Sequence, residues 1–394
     1  MLPYTHSNQR GLRACQYVAL IALCVLLAGR PVYPATRLLD IPPPAGLVKD
    51  IATDSVDSTN YRSPGALRRF IPFQGGMVFT AQDNRHGLEL WKSDGTTAGT
   101  MLLKDVQPGP VGSTSYEHEK VAIGQTLFFG ADDGSSGFEL WRSDGTPGGT
   151  FLIKDIYPGP TGSYPSQFTV FHNTLFFVAS DGSPGGKALW KSDGSASGTV
   201  LVKATYDGPD MWSGVGGTVV VGEQLFFTGD DLAHGRELWV SDGTTAGTHL
   251  VKDIVPGSAE SLPGSLVNVQ GTLFFGTELG QLWKSDGTEV GTMMIAPVVM
   301  QSPIVMGSTL FFRGIANNTP GLWKSDGTPA GTVQIDTADP VDSAVIGNTL
   351  YYLAHTPQNG WGLRKITAQS ASMEAIADFT NNDGYTPAGL MAVN

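Results

Sequence analysis

Carboxylates that recur at one position of a repeat are the residues of this 394-residue chain best suited to chemistry. Aligned on a recurring pair of phenylalanines, four aspartates are equivalent: Asp83, Asp133, Asp181 and Asp231. Asp132 and Asp230 add a second carboxylate in two of these loops. Hard oxygen ligands of this kind suit calcium, although the spacing matches no EF-hand. We therefore expect either a ligand-binding face at these four loops, with calcium as its candidate ion, or ordinary solvated turns.

Two histidines, His86 and His234, lie in the same loops, each before a glycine. An imidazole can act as a base or a metal ligand. These two belong to separate repeats, however, and no cluster with metal-ligand spacing accompanies them. The chain also contains no Gly-x-Ser-x-Gly elbow, His-Glu-x-x-His pair or phosphate-cradling loop. The sequence therefore assigns no catalytic residue and favours a protein that is not an enzyme.

The repeat itself is a tract of the form Glu-Leu-Trp-Lys-Ser-Asp-Gly-Thr-x-x-Gly-Thr, first seen at residues 89–100. Its tryptophans recur every 40 to 50 residues: Trp91, Trp141, Trp190, Trp239, Trp283 and Trp323. A seventh, divergent copy has Arg364 in the tryptophan position. Such a period indicates repeated supersecondary units that pack on their neighbours. Each indole follows a leucine on a predicted strand, so we interpret the tryptophans as core between units and not as sugar-stacking platforms.

Six aspartates of this tract precede glycine: Asp94, Asp144, Asp193, Asp242, Asp286 and Asp326. Asp-Gly is a strong hairpin signal, because glycine adopts positive φ freely and the carboxylate caps nearby N–H groups. A ring of calcium or sugar sites is the functional alternative. We interpret these aspartates as structural turn residues.

Each unit contains four short alternating runs joined as a meander, as residues 166–203 show. This pattern predicts an all-β fold, a seven-bladed β-propeller of four-stranded antiparallel blades between about residue 64 and residue 378. The ends are less regular. Residues 47–51 copy a fourth strand with no unit before it, and residues 387–394 resemble a first strand. The alternative is therefore eight blades, the last built from both chain ends.

The N-terminal segment predicts export. Arg10 and Arg13 precede the apolar run of residues 17–28, which has the length of a signal peptide. We divide the chain into residues 1–35, a signal peptide or N-terminal anchor, residues 36–63, a strand and linker, and residues 64–394, the propeller. Cys15 and Cys24 both lie in the first segment, so the body has no disulfide. We expect a secreted or cell-envelope protein without membrane insertion beyond that segment.

The chain is acidic, with 36 Asp and Glu against 24 Lys and Arg and a net charge of −12. Removal of the three leader arginines (Arg10, Arg13 and Arg30) takes this charge to −15. An acidic body without a basic run argues against nucleic acid and anionic membranes as partners.

These tracts resemble those of the ELWxxDGT repeat proteins, which are exported bacterial proteins. The resemblance covers residues 47–335 and includes the strand after each turn, clearest at residues 250–257. Residues 336–394 depart from the pattern, since Arg364 replaces tryptophan and Thr367-Ala368 replaces Asp-Gly. The resemblance implies a propeller-like surface protein, and the family has no agreed activity to carry over.

Together these features predict an exported bacterial binding or scaffold module whose partner is a glycan or an extracellular protein. The first alternative is a secreted glycan-active enzyme, a hydrolase or lyase, which would need carboxylates that converge at one site. The second is a purely structural component of the envelope. No cofactor is expected apart from the candidate calcium ion.

Overall fold

The structure, a computed structural model, describes residues 48–49, 51, 70–114, 119–183, 186–205, 215–356, 360–367 and 373–379. All of them belong to one unit, Val48–Asn394. The described residues form seven four-stranded sheets, and neighbouring strands within each sheet are antiparallel and consecutive in the chain. The described part contains no helix. The predicted seven-bladed β-propeller is therefore confirmed.

Blades 1 to 4 contain sixteen strands. Blade 1 comprises β1 (Ile71–Phe73), β2 (Gly76–Asp83), β3 (Gly87–Ser93) and β4 (Met101–Leu102). Blade 2 comprises β5 (Lys120–Ile123), β6 (Thr126–Asp132), β7 (Phe138–Ser143) and β8 (Phe151–Lys154). Blade 3 comprises β9 (Ser166–Phe171), β10 (Thr174–Ser180), β11 (Lys187–Ser192) and β12 (Val200–Lys203). Blade 4 comprises β13 (Gly216–Val221), β14 (Gln224–Asp230), β15 (Arg236–Ser241) and β16 (His249–Lys252).

Blades 5 to 7 contain twelve more strands. Blade 5 comprises β17 (Gly264–Val269), β18 (Thr272–Thr277), β19 (Gln281–Ser285) and β20 (Met293–Ala296). Blade 6 comprises β21 (Val299–Met306), β22 (Thr309–Ala316), β23 (Thr319–Ser325) and β24 (Val333–Asp336). Blade 7 comprises β25 (Asp339–Ile346), β26 (Thr349–Thr356), β27 (Gly360–Thr367) and β28 (Glu374–Phe379).

The core lies between successive blades and not within any one of them. One cluster joins Phe73 and Leu103 of blade 1 to Leu127, Phe129 and Trp141 of blade 2. Within blade 2, Trp141 is the cross-strand partner of Phe129, and the same aromatic pairing recurs in blades 1 to 6. Each buried large apolar side chain contributes about 1.5–3 kcal/mol. The alternation of inward aromatic residues therefore fixes both the register of a blade and its packing on the next.

Lysines at or just after the ends of the fourth strands connect neighbouring blades. Lys104 of blade 1 lies with its Nζ 5.8 Å from the ring centroid of Trp141 in blade 2 and donates to the carbonyl oxygen of Thr150 at 2.6 Å. Lys154 and Lys252 repeat both contacts in their own neighbouring blades. Each lysine thus caps the next turn while its charge faces an indole ring.

Blade 7 replaces this contact with an ion pair. Arg364 occupies the tryptophan position of β27 and lies opposite Tyr352 of β26. Its Nη1 donates to both carboxylate oxygens of Asp336 at 3.0 and 2.7 Å, and Asp336 occupies the lysine position of β24 in blade 6. The Tyr352 hydroxyl donates to the same carboxylate at 2.7 Å. The departure of Arg364 from the repeat is therefore matched by a second departure in the preceding blade.

The described part of the N-terminal copy, Val48 and Lys49, packs on blade 1. Lys49 Nζ donates to the carbonyl oxygen of Thr100 at 2.7 Å, which is the contact that Lys104 makes with Thr150. The signal peptide or anchor, most of the 36–63 linker and residues 387–394 lie outside the described residues. The leader and the eighth partial blade therefore stay predictions. No helix of the described part is long and apolar enough to cross a membrane.

Candidate functional site

The four predicted ligand aspartates cap their own turns in the loops between the second and third strands. In blade 2, Asp133 Oδ1 accepts hydrogen bonds from the backbone N–H groups of Ser135 and Ser136, both at 2.8 Å, and from the Ser135 hydroxyl at 2.8 Å. Partial burial works to raise the pKa of Asp133, but these hydrogen bonds outweigh it and lower the pKa. The carboxylate is thus engaged by its own loop as an Asx turn.

The same turn recurs with histidine in blades 1 and 4. Asp83 accepts from His86 N–H at 2.7 Å, and its Oδ2 lies 2.7 Å from His86 Nδ1. Asp231 Oδ2 lies 2.9 Å from His234 Nδ1, and this hydrogen bond raises the pKa of His234. In blade 3, Asp181 accepts from Ser183 N–H at 2.9 Å. The histidines therefore occupy the position that Ser136 holds in blade 2.

The fold distributes these aspartates over four blades and does not bring them to one point. No group of three or more His, Cys, Asp or Glu side chains among the described residues is arranged to hold a metal ion. The second carboxylates are also engaged, since Asp132 accepts from Gly134 N–H at 2.7 Å and Asp230 from Leu232 N–H at 2.6 Å. A ligand or calcium role for these loops stays a prediction.

The Asp-Gly-Thr tract, with Ser195 in place of threonine in blade 3, forms the same hydrogen-bonded turn in six blades. In blade 2, Asp144 Oδ1 accepts from the N–H and the hydroxyl of Thr146 at 2.9 and 2.7 Å, and these bonds lower the pKa of Asp144. Gly145 has a φ of 88°. A Cβ on Gly149 would lie 2.0 Å from Asp144 Oδ1, so the turn requires glycine there. Each tract thus engages its aspartate within its own turn.

Buried glutamates, which sequence reasoning left without a role, anchor the loops that cross from one blade to the next. Glu139 is fully buried and accepts from the N–H groups of Tyr157 at 3.0 Å and Ser163 at 2.9 Å, and from the Ser163 hydroxyl at 2.5 Å. Burial raises its pKa despite these bonds. Glu89 with Ser113 and Glu237 with Ser261 repeat the arrangement.

A sequence signal for these anchors exists. Glutamate and serine are 24 residues apart in all three blades. Blade 3 has Ala188 in the glutamate position and lacks this anchor. The anchors hold the crossing loops against the start of the third strands, which positions the face that carries the acidic loops.

One opening on this face is a cleft among blades 4, 5 and 6, which we call the blade 4–6 cleft. Its volume is about 600 Å³, and it lies where the first strands β13, β17 and β21 begin and the second strands β14 and β18 end. Because first strands of successive blades contact one another, the cleft joins three blades at their inner strands. Arg236 enters it directly after the acidic loop of blade 4.

Polar atoms of the cleft lack partners. Thr277 is 5% exposed, and its Oγ1 is buried without a hydrogen bond in the described structure. The same holds for Nε of Arg236. Thr228, by contrast, donates to the carbonyl oxygen of Gly216 at 2.7 Å. An unsatisfied buried polar group costs about 1–3 kcal/mol, so atoms left this way at an opening are suited to a ligand.

Sequence reasoning missed this cleft because its residues come from segments that are separate in the chain. The available signal was Arg236 itself, which stands where Leu88 and Phe138 stand in blades 1 and 2. Lys187 holds the same position in blade 3, so a charge there did not by itself separate blade 4 from its neighbour.

No protein-family model matches the chain, and no curated protein matches it. Among solved structures, puromycin hydrolase matches with a TM-score of 0.43 and 16% identity, over 80% of this chain and 55% of that one. Oligopeptidase B from Leishmania major matches with a TM-score of 0.46 and 12% identity, over 80% and 49%. The chain thus spans about half the length of these two proteins.

The β-propeller domain of the Trilobed protease from Pyrococcus furiosus, described as having an open velcro topology, matches with a TM-score of 0.39 and 8% identity. That match covers 82% of this chain and 98% of the domain. Likenesses this low carry nothing about activity or ligand.

Proposed function

We propose that the chain is a binding module of the bacterial cell envelope or extracellular space, and that it holds a glycan in the blade 4–6 cleft. The observation that carries this proposal is the pair of unpartnered polar atoms, Thr277 Oγ1 and Arg236 Nε, in an open cleft of about 600 Å³. Small-ligand sites occupy about 300–1,000 Å³ and combine apolar walls with a few polar groups. Val299 and Met300 supply apolar wall beside these atoms.

A glycan suits this cleft better than a protein surface does. A stable protein partner covers about 800 Å² on each side and places its anchors in a broad patch. The cleft is instead a single small opening among three blades, and its polar atoms all lie within that opening. One or two sugar rings present hydroxyl groups to such atoms and an apolar face to the wall.

The enzyme alternative requires two carboxylates at the ligand, about 5–9.5 Å apart for glycoside hydrolysis. Among the described residues that line the cleft, Glu278 is the carboxylate. A binding role therefore requires no pair of carboxylates, whereas glycoside hydrolysis requires one carboxylate more than these lining residues supply. Release of products from a bound glycan would favour the enzyme.

The test blocks the cleft without disturbing the fold. A Cβ on Gly264, which lines the cleft, meets no atom within 4 Å, and its φ is not positive. Gly264→Leu should therefore fill the opening and abolish binding on a glycan array. Gly148→Leu is the matched control, since Gly148 is equally open but lies in a blade 2 turn. If Gly264→Leu binds the same glycans as the unchanged protein, the cleft is not the site.

The same array in calcium and in EDTA separates the cleft from the acidic loops. We expect binding to persist in EDTA, because the loop carboxylates already accept hydrogen bonds from their own turns. Binding that is lost in EDTA and in the Asp133→Ala, Asp231→Ala double variant would assign the ligand to the acidic loops. A blank array would favour a protein partner or a structural role.

A further inference from the structure

We propose that the ligand of the blade 4–6 cleft is an acidic glycan, and that Arg236 binds its carboxylate. This inference rests on the proposed function and adds the chemical class of the ligand. It depends on the charges and free hydrogen-bonding groups of the cleft.

Arg236 begins β15, and its Cα is paired with that of Asp230 across the blade. Its guanidinium nevertheless forms no ion pair with any described residue, and its Nε is buried without a partner. A guanidinium presents its donors in a planar fork that matches a carboxylate with two parallel hydrogen bonds. An unpaired guanidinium at an opening is thus a site for an external carboxylate.

The second cation near the cleft is already neutralised. Arg313 donates from Nε and Nη2 to the two oxygens of Asp339, at 2.5 and 2.9 Å. Its Nη1 donates to Gln301 Oε1 at 2.5 Å. Gln301 lines the cleft, and this contact engages its oxygen, so its amide N–H₂ group is the end left to donate. Arg313 therefore leaves Gln301 as a donor in the lining of the cleft, while Arg236 retains its charge.

Thr277 supplies a further hydrogen-bonding group. It ends β18 and lines the cleft with Oγ1 unpartnered and buried. A hydroxyl both donates and accepts, so it suits either a sugar hydroxyl or a carboxylate oxygen. Arg236, Gln301 and Thr277 each bring a donor to the cleft, and the positive charge of Arg236 favours an anionic ligand over a neutral one.

One group opposes this choice. Glu278 lines the cleft as the residue after Thr277 and is exposed to solvent. Its carboxylate repels an anion, although solvent screens an exposed charge more strongly than a buried one. This repulsion provides a second test with the opposite expected effect. Removal of the Glu278 charge should strengthen the binding of an acidic sugar and leave the binding of a neutral sugar unchanged.

The test compares three tetrasaccharides of equal length by titration calorimetry: a galacturonic acid tetramer, its methyl ester and the neutral galactose tetramer. We expect the acid to bind about tenfold or more tightly than its ester, as for a charge-assisted hydrogen bond. Arg236→Gln should reduce acid binding to the level of the ester. Glu278→Gln should strengthen acid binding severalfold. Arg236→Lys should restore only part of the preference, since it lacks the planar fork.

An unchanged acid-to-ester ratio in Arg236→Gln would overturn the assignment, and so would an ester that binds as tightly as the acid. Equal affinity for all three sugars, abolished by Gly264→Leu, would retain the glycan module while rejecting its acidic specificity. Failure of all three sugars on a protein that binds neutral array glycans would reject the acidic class alone, whereas a blank array would reject the module. Thermal unfolding of each variant shows that the fold is intact.

Discussion

At the level of single residues, the polar side chains described above mainly anchor turns and loops. Glu139 illustrates this. From the interior of the sheet, its two carboxylate oxygens accept hydrogen bonds from the N–H and hydroxyl groups of a crossing loop. Burial raises the pKa of Glu139, so its charged form carries a free-energy cost that the hydrogen bonds offset only in part. A polar residue with no solvent contact is here a structural requirement and not a catalytic group.

Glu139→Leu should destabilise the protein by about 2–4 kcal/mol, because the N–H groups of Tyr157 and Ser163 lose their acceptor in a buried place. Glu139→Gln should remain close to the unchanged protein, since an amide oxygen still accepts both bonds. Urea unfolding at pH 7 measures the difference. Glu260→Leu is the exposed control, and an equal loss in the two leucine variants would contradict the anchoring role.

At the scale of elements, the turn between the third and fourth strands is set by steric contact as much as by hydrogen bonding. Two adjacent glycines of the blade 2 turn differ sharply. A Cβ on Gly149 would meet the Asp144 carboxylate at 2.0 Å, whereas a Cβ on Gly148 meets nothing within 4 Å. The repeat therefore requires glycine at one of these positions only.

Gly149→Ala should lower the unfolding free energy by about 1–3 kcal/mol, because the turn must open to admit the methyl group. Gly148→Ala should be neutral or slightly stabilising, by up to about 1 kcal/mol, through a less flexible unfolded chain. Thermal unfolding of both variants provides the comparison. Equal effects at the two positions would show that the aspartate contact does not control the turn.

The interface between blades 6 and 7 is a second element-scale feature. Asp336 and Arg364 replace the lysine and tryptophan that face each other between other blades, as Lys104 and Trp141 do. Both side chains of the ion pair are largely buried. Removal of one partner from such a pair costs about 3–5 kcal/mol.

Asp336→Lys should therefore destabilise the protein by about 3–5 kcal/mol, because it places a second cation beside Arg364 and removes the acceptor of the Tyr352 hydroxyl. The double variant Asp336→Lys, Arg364→Trp introduces the lysine–tryptophan contact found between successive blades from blade 1 to blade 5 and should recover at least about 1–3 kcal/mol of that loss. A double-mutant cycle by urea unfolding measures the coupling. Additive losses would mean that the two positions are independent.

Over the whole molecule, equivalent ionisable side chains in successive blades have pKa values that are shifted in the same direction. The six turn aspartates have lowered pKa values, as Asp144 does through its bonds to Thr146, so they stabilise the fold above their ordinary pKa of 3.8. That stabilisation is lost as the pH falls through the folded values. The three buried glutamates and His234 have raised pKa values, from 4.5 and 6.5. Their contribution is present at low pH and is lost as the pH rises.

We therefore expect stability to rise from pH 8 to a maximum between about pH 4.5 and 6.5 and to fall steeply below pH 3.8. Urea midpoints measured from pH 8 to pH 3 test this profile. His234→Asn should flatten the upper part of the curve, and it should also weaken the acid limb slightly, because the His234 side chain helps to lower the pKa of Asp231. A stability that falls continuously from pH 7 downwards would contradict the assigned shifts.

The sequence was sufficient to predict the seven blades, because the 40- to 50-residue period and the alternation of apolar residues are local properties that survive in every copy. It also marked Arg364 as a departure. Only the tertiary structure paired Arg364 with Asp336, engaged Asp133 within its own turn, and brought Arg236, Thr277 and Gln301 to one cleft. Those contacts depend on how successive blades pack, and residues from three blades meet across separations that no local pattern encodes.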